Sequence, residues 1–207
     1  KFVYLQKLIY KICMNSKVDI TKEIIFASSD SNVSRQISLL EKAGKLRKIA
    51  PRLYTSNTID SFEHIVRRNI IDILVWRYPK AIISHRSAKE MRPTSEGNFY
   101  LTTTYSKKVT DLPGITINLL KGPAADEGDL PYNGIYIASE YRWLLENMQI
   151  ARKDSDNSKS LPIAEIENKL EKILLIGGEE KLNEYRDKLR EVSERLNMPK
   201  EYERICK

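Results

Sequence analysis

The stretch Ser34–Tyr54, SRQISLLEKAGKLRKIAPRLY, decides how the N-terminal third is read. Ile37 and Leu40, with Val33 just upstream, recur at the spacing of one helix face, which predicts a helix over Asn32–Ala43. Gly44 follows as the residue suited to the left-handed turn that closes a helix. Lys45–Ile49 and Leu53–Thr55 then alternate around Ala50-Pro51-Arg52, which predicts two short strands joined as a β-hairpin. Upstream, Ser28-Ser29-Asp30-Ser31 reads as a turn. Asp19 is placed to cap a short helix carrying Ile20, Ile24 and Ile25. Residues 1–14 put Phe2, Leu5, Leu8, Ile9, Ile12 and Cys13 on one apolar stripe, which predicts a further helix.

Three helices followed by a small hairpin are the layout of a winged helix-turn-helix. With Val33, Ile37 and Leu40 turned inward, the first turns of the third helix leave Asn32, Ser34, Arg35 and Gln36 outside. Recognition helices meet base edges from this part of the helix. Arginine pairs bidentately with guanine, and asparagine or glutamine with adenine. The hairpin adds Arg47, Lys48 and Arg52 as candidates for phosphate contact.

The charge distribution agrees with this reading. The chain carries a net +7. Residues 1–69 hold 13 of the 35 Lys and Arg and 6 of the 28 Asp and Glu, so residues 70–207 hold 22 of each and are neutral. A basic excess confined to one segment is the electrostatic footprint of a nucleic-acid-binding module. The 207 residues, 41% hydrophobic and 30% charged, exclude a disordered or collagen-like chain. No apolar run is long enough for a membrane span, and the N-terminus lacks the continuous apolar stretch of a signal peptide. The two cysteines, Cys13 and Cys206, are too few for a secreted disulfide framework, which favours a cytoplasmic location.

Beyond residue 60 the pattern predicts a compact α/β unit. A helix opens at Ser61 and runs to about Tyr78, with Phe62, Ile65, Val66, Ile70, Ile73 and Leu74 on its apolar face. Strands are expected at Ala81–Ile83, Phe99–Thr104, Ile115–Leu120 and Gly134–Ala138, with helices at Ser87–Met91 and Ser139–Gln149. The polar run Lys153–Ser160 reads as a loop. After it, Pro162 opens a helix that Gly177-Gly178 stops, and a last helix spans Glu179–Asn197. The expected class is therefore α+β: a winged helix-turn-helix (1–60), a small mixed α/β domain (61–152) and a C-terminal α-hairpin within 153–207.

Four segments in the middle region occur together: ISHRSAKEM (Ile83–Met91), FYLTTT (Phe99–Thr104), GITINLL (Gly114–Leu120) and GIYIASEYRWLLENM (Gly134–Met148). In that order, after KIAPRLY, they resemble the AbiEi-like antitoxin family of bacterial type IV toxin–antitoxin systems, over roughly residues 1–150. The resemblance implies an N-terminal DNA-binding domain that represses its own operon and a C-terminal domain that counteracts a toxin. The family's SHxSA element falls on Ser84, His85, Ser87 and Ala88, and its SxxRxLL element on Ser139, Arg142, Leu144 and Leu145; no role follows for Ser84, His85, Ser87 or Arg142. The tail, EKLNEYRDKLREVSERLNMPKEYERI, resembles the helical segment that precedes the catalytic domain in some Fic-family proteins. The HPFxxGNGR loop of Fic enzymes is not in this sequence.

Enzyme motifs are lacking. The sequence holds no HExxH, CxxC, Walker loop or GxGxxG. Ser84 or His85 is read as capping the following helix, and Asp126, Glu127 and Asp129 as a solvated turn. The expectation is a non-catalytic regulator without cofactor or metal, whose partners are double-stranded DNA and a cognate toxin, with no membrane. The alternative is a non-DNA-binding regulatory region of a Fic-type enzyme, acting through protein–protein contacts with a downstream Fic domain as its partner.

Overall fold

The computed structural model describes residues 18–149 and 159–206. The expected helix over residues 1–14, and most of the loop at 153–160, lie outside the described residues. Among those described, seven helices and nine strands form a mixed α+β fold with two sheets. The packing resolves two compact units. The first takes in the described residues up to Trp76 together with Thr110–Ile115; the second takes in Arg77–Val109 and the remainder.

In the first unit, β1 (Ile24–Phe26), β2 (Arg47–Ala50) and β3 (Leu53–Thr55) make an antiparallel sheet in the order β1-β3-β2. The helix α1 (Ser31–Lys42) packs Ile37 and Leu40 with Ile25, Leu46 and Val18. Its ends are set locally. The Asp30 carboxylate accepts from the Asn32 N–H at 2.8 Å. At the other end Gly44 takes φ +71°, its N–H donates to the Glu41 carbonyl, and the Lys45 N–H donates to that of Leu40. These two bonds make a Schellman cap.

The expected helix from Asp19 through Ile25 is a strand instead. The Asp19 carboxylate accepts from the Thr21 N–H and hydroxyl, closing a turn. Ile24, Ile25 and Phe26 then pair with Thr55, Tyr54 and Leu53. The hairpin's inner strand needs a second partner, and the β-branched pair beside an aromatic residue suits that place. The helix expected from Ser61 to Tyr78 is divided into α2 (Phe62–Arg68) and α3 (Ile70–Arg77). At the break, the Asn69 side chain donates to the Ile65 carbonyl and to Glu23. Such local side-chain bonds compete with the helix ladder.

Most of a six-stranded sheet, in the order β6-β7-β5-β4-β9-β8, lies in the second unit. The strands are β4 (Ile82–Ile83), β5 (Asn98–Thr103), β6 (Lys107–Leu112), β7 (Ile115–Lys121), β8 (Leu130–Tyr132) and β9 (Ile135–Ile137). β5 runs parallel to β7 and β4 parallel to β9, while β4 is antiparallel to β5. The four central strands match the sequence pattern. The two edge strands do not appear in it, because KKVTDL and LPY carry charge and proline instead of apolar alternation.

The helices α4 (His85–Glu90) and α5 (Glu140–Asn147) pack on each other. A long helical segment, α6 (Ile163–Arg195), and a short α7 (Pro199–Ile205) complete the unit. α6 reverses at Gly178, whose φ of 70° and ψ of −172° are not helical. Lys169 from one arm and Tyr185 from the other both bond Glu140, at 2.8 and 2.7 Å. Sixteen residues of straight helix would span about 24 Å, so the chain must fold back between them. The expected α-hairpin and its double-glycine stop are therefore present; α7 was not anticipated.

Candidate nucleic-acid interface and buried polar centre

On α1 the candidate base-reading residues Asn32, Ser34 and Arg35 are exposed and Gln36 is half-buried. Arg35 stands away from the face formed by Ile37 and Leu40, whereas Gln36, four residues before Leu40, borders it. Ser34 is partly committed, since its hydroxyl donates to the Ser28 carbonyl at 3.3 Å.

The hairpin divides its three cations. Lys48 pairs across the strands with Tyr54, whose ring packs on the core beneath α1, so exposed Lys48 lies on the α1 side of the sheet. Arg47, its neighbour, points to the reverse face. Its Nε and Nη2 donate to the Asn57 carbonyl at 2.9 and 2.7 Å, and Nη2 donates to that of Asp60 at 2.6 Å. Its guanidinium also lies 4.7 Å from the centre of the Phe62 ring. The sequence reading grouped Arg47 with Lys48 and Arg52 for phosphate contact; strand alternation instead turns it away from Lys48, and its donors clamp the chain leading to α2.

Arg52 occupies the tight turn, with φ +62°. Its carbonyl accepts from the Ala27 N–H at 2.9 Å, and its Nη2 donates to the Ala27 carbonyl at 3.1 Å. Its guanidinium also lies 5.7 Å from the Trp76 ring, which stacks on Phe26 at 4.7 Å. Ala27 precedes the Asp30 cap by three residues, so these bonds tie the hairpin tip to the chain leading into α1. The contribution of Trp76 was not foreseen; its distance along the sequence from the hairpin concealed it.

Separately, in the second unit, the resemblance residues without an assigned role converge. Arg142 is fully buried. Its Nε donates to Glu146 Oε1 at 2.9 Å and its Nη1 to Asp129 Oδ2 at 2.7 Å. Further donors reach the carbonyls of Ala124 and Pro123 at 2.9 and 2.8 Å. The other oxygen of Glu146 accepts the His85 backbone N–H at 2.9 Å. Ser84 Oγ stands 3.1 Å from His85 Nδ1, and His85 Nε2 stands 3.3 Å from Gln149 Oε1. The Ser87 hydroxyl accepts from the Tyr100 N–H at 3.0 Å.

Two expectations are corrected here. Ser84 makes no side-chain cap to α4; the first N–H of that helix is satisfied by Glu146 from α5. Asp129 is buried, not solvated, and also accepts the N–H groups of Asp126 and Ser139 at 2.9 and 2.8 Å. Asp126 binds Arg195 at 2.8 Å. Sequence reasoning missed Glu146, although its spacing of four from Arg142 on a helix was a usable signal. Burial holds the His85 imidazole below its ordinary pKa, against the pull of the Glu146 carboxylate. The half-buried Lys159 ammonium is lowered for the same reason. Ser84 and His85 are both buried beside this charged network.

No protein-family model matches the chain, and no curated protein matches it. Among the described residues no helix is long and apolar enough to cross a membrane.

Proposed function

We propose that this chain is a DNA-binding transcriptional regulator of antitoxin-like organisation, with an N-terminal winged helix-turn-helix, that represses its own operon and neutralises a toxin. The observation that carries the reading is the exposure of Asn32 and Arg35 in the first turns of α1. The hairpin's Arg52 is bonded to Ala27, on the chain that leads into that helix. Supporting it is the confinement of the whole net charge of +7 to the first 69 residues. In this reading Arg35 and Gln36 meet base edges, and Lys48 and Arg52 meet phosphates. Arg47 supports the fold.

The test is a fluorescence-anisotropy titration of the full chain against mixed genomic duplexes and against the DNA upstream of its own gene, at low and moderate salt. Salt-sensitive binding with preference for the upstream DNA is expected. No binding at low salt would reject the reading.

A second reading, a regulatory region acting through protein contacts next to a Fic domain, is favoured by one observation. Leu175 and Ile176, at the turn of the C-terminal hairpin, are 83% and 88% exposed.

A further inference from the structure

Leu39 of α1 is 36% exposed, whereas Ile37 and Leu40 are 2% exposed each. It is the one exposed large apolar side chain of that helix, and it is not among the side chains packed in the core against α1. A lone exposed leucine is ordinary on a protein surface. This one is set apart by what surrounds it. The nearest neighbours on a helix surface lie three and four residues away. For Leu39 these include Arg35, Gln36 and Lys42, and Asn32 lies two turns back on the same stripe.

Arg35 and Lys42 are exposed, and among the described residues neither is paired with a carboxylate. The one acid of the helix, Glu41, follows Leu39 by two residues and so projects about 200° round the axis from it. The leucine is therefore bordered on its helix by two cations and two amides, with the acid turned away. Cations and amides find hydrogen-bond partners on the base edges and phosphates of a major groove. The feature of that groove that takes an apolar partner is the 5-methyl group of thymine.

We infer that Leu39 is a specificity-determining residue, packing on the methyl group of a thymine close to the base that Arg35 reads. One helical turn separates the two residues, a rise of about 6 Å. Successive bases of a strand are about 3.4 Å apart, so the thymine lies within about two base pairs of the Arg35 contact. An apolar protein surface fits less well, because it would cover Arg35 and Lys42 without supplying them a carboxylate, and burying an unpaired charge is costly. The inference rests on the DNA-binding reading and adds to it a base that neither arginine nor an amide selects.

The test uses the full chain and the upstream duplex, with each thymine replaced singly by deoxyuridine. That exchange removes the methyl group and keeps the base pair. In anisotropy titrations at least one replacement is expected to weaken the unsubstituted chain about fourfold, the worth of one buried methyl group. Leu39→Ala is expected to bind the thymine and deoxyuridine forms at that position alike, and Leu39→Met, which keeps an apolar tip, to retain the discrimination. The comparison of protein and base changes in one cycle separates this contact from any general effect on folding or charge. Thermal melts check the fold; if Leu39→Ala melts early, Leu39→Gln, which keeps the length of the side chain, takes its place. The inference is overturned if no replacement weakens the unsubstituted chain, or if the variant lacking the apolar tip keeps the full sensitivity at every thymine. The two levels of failure are distinct. A chain that binds no duplex takes down the DNA-binding reading and this inference together; a chain that binds but is indifferent to the methyl groups takes down this inference alone.

Discussion

Arg142 and Glu146 stand one turn apart on α5, joined at 2.9 Å with both side chains sealed from solvent, and the carboxylate's second oxygen holds the His85 N–H. The pair links two parts of the second unit. Through Arg142 it grips the carbonyls of Pro123 and Ala124 and the carboxylate of Asp129; through Glu146 it holds the start of α4. Such a network is stable while complete and costly when broken.

Arg142→Ala therefore leaves Asp129 and Glu146 buried without their cation. The expected loss is about 3–5 kcal/mol, read as a fall in the urea midpoint of the second unit. Arg142→Lys should recover little, because one ammonium cannot replace the forked donors that reach four partners. A midpoint unchanged in Arg142→Ala would show that the network carries no stability.

Acid sensitivity has two separate windows. The His85 pKa is lowered by burial, so the unfolded imidazole binds a proton more readily than the native one. Its contribution is present above the ordinary value of 6.5 and is lost as pH falls from there through the lowered folded value. Glu23 is held at about 2 by Arg68, below its ordinary 4.5, so its contribution is lost only as pH falls from 4.5 toward 2. In a melting-temperature profile, His85→Gln should flatten the first decline and leave the second. A first decline that survives the substitution assigns it to another group.

The three hairpin and helix arginines and lysines should separate by behaviour. Arg35→Ala should cost about 1–3 kcal/mol of operator affinity and relax specificity at one base pair. Lys48→Ala should weaken all duplexes alike and lower the salt slope by about one. Arg47→Ala should lower the melting temperature and leave the salt slope in place, since its donors end on Asn57 and Asp60 carbonyls. Anisotropy titrations over a salt series, paired with thermal melts, distinguish the three patterns.

Gly44 closes α1 with φ +71° and has no atom within 4 Å of where a Cβ would sit. The penalty of Gly44→Ala is then conformational alone, about 1–2 kcal/mol, with no steric part. Denaturant titration of the variant measures it, and a loss well above that range would mean a contact forms there.

Much of the local architecture was legible before folding. The α1 caps, the Pro51-Arg52 turn, the four central strands and the reversal at Gly177-Gly178 all follow from short-range geometry: a side-chain cap, a left-handed residue, a repeat of two or of about four. The Arg142–Glu146 pair was legible in principle for the same reason, as neighbours on one helix. The base-reading candidates on α1 stayed where the helical period placed them.

The rest was decided by partners distant along the chain. Ile24–Phe26 became a strand because Leu53–Thr55 offered an edge, and Lys107–Leu112 and Leu130–Tyr132 became strands because a sheet needs borders. Arg47 and Lys48 are adjacent in sequence, yet pleating sends them to opposite faces, and Asn57, Asp60 and Phe62 then capture Arg47. Glu146 meets the His85 N–H across 61 residues. Periodicity shows which residues share a face of one element; which face meets which is settled only when non-local hydrogen bonds and buried charges find their partners.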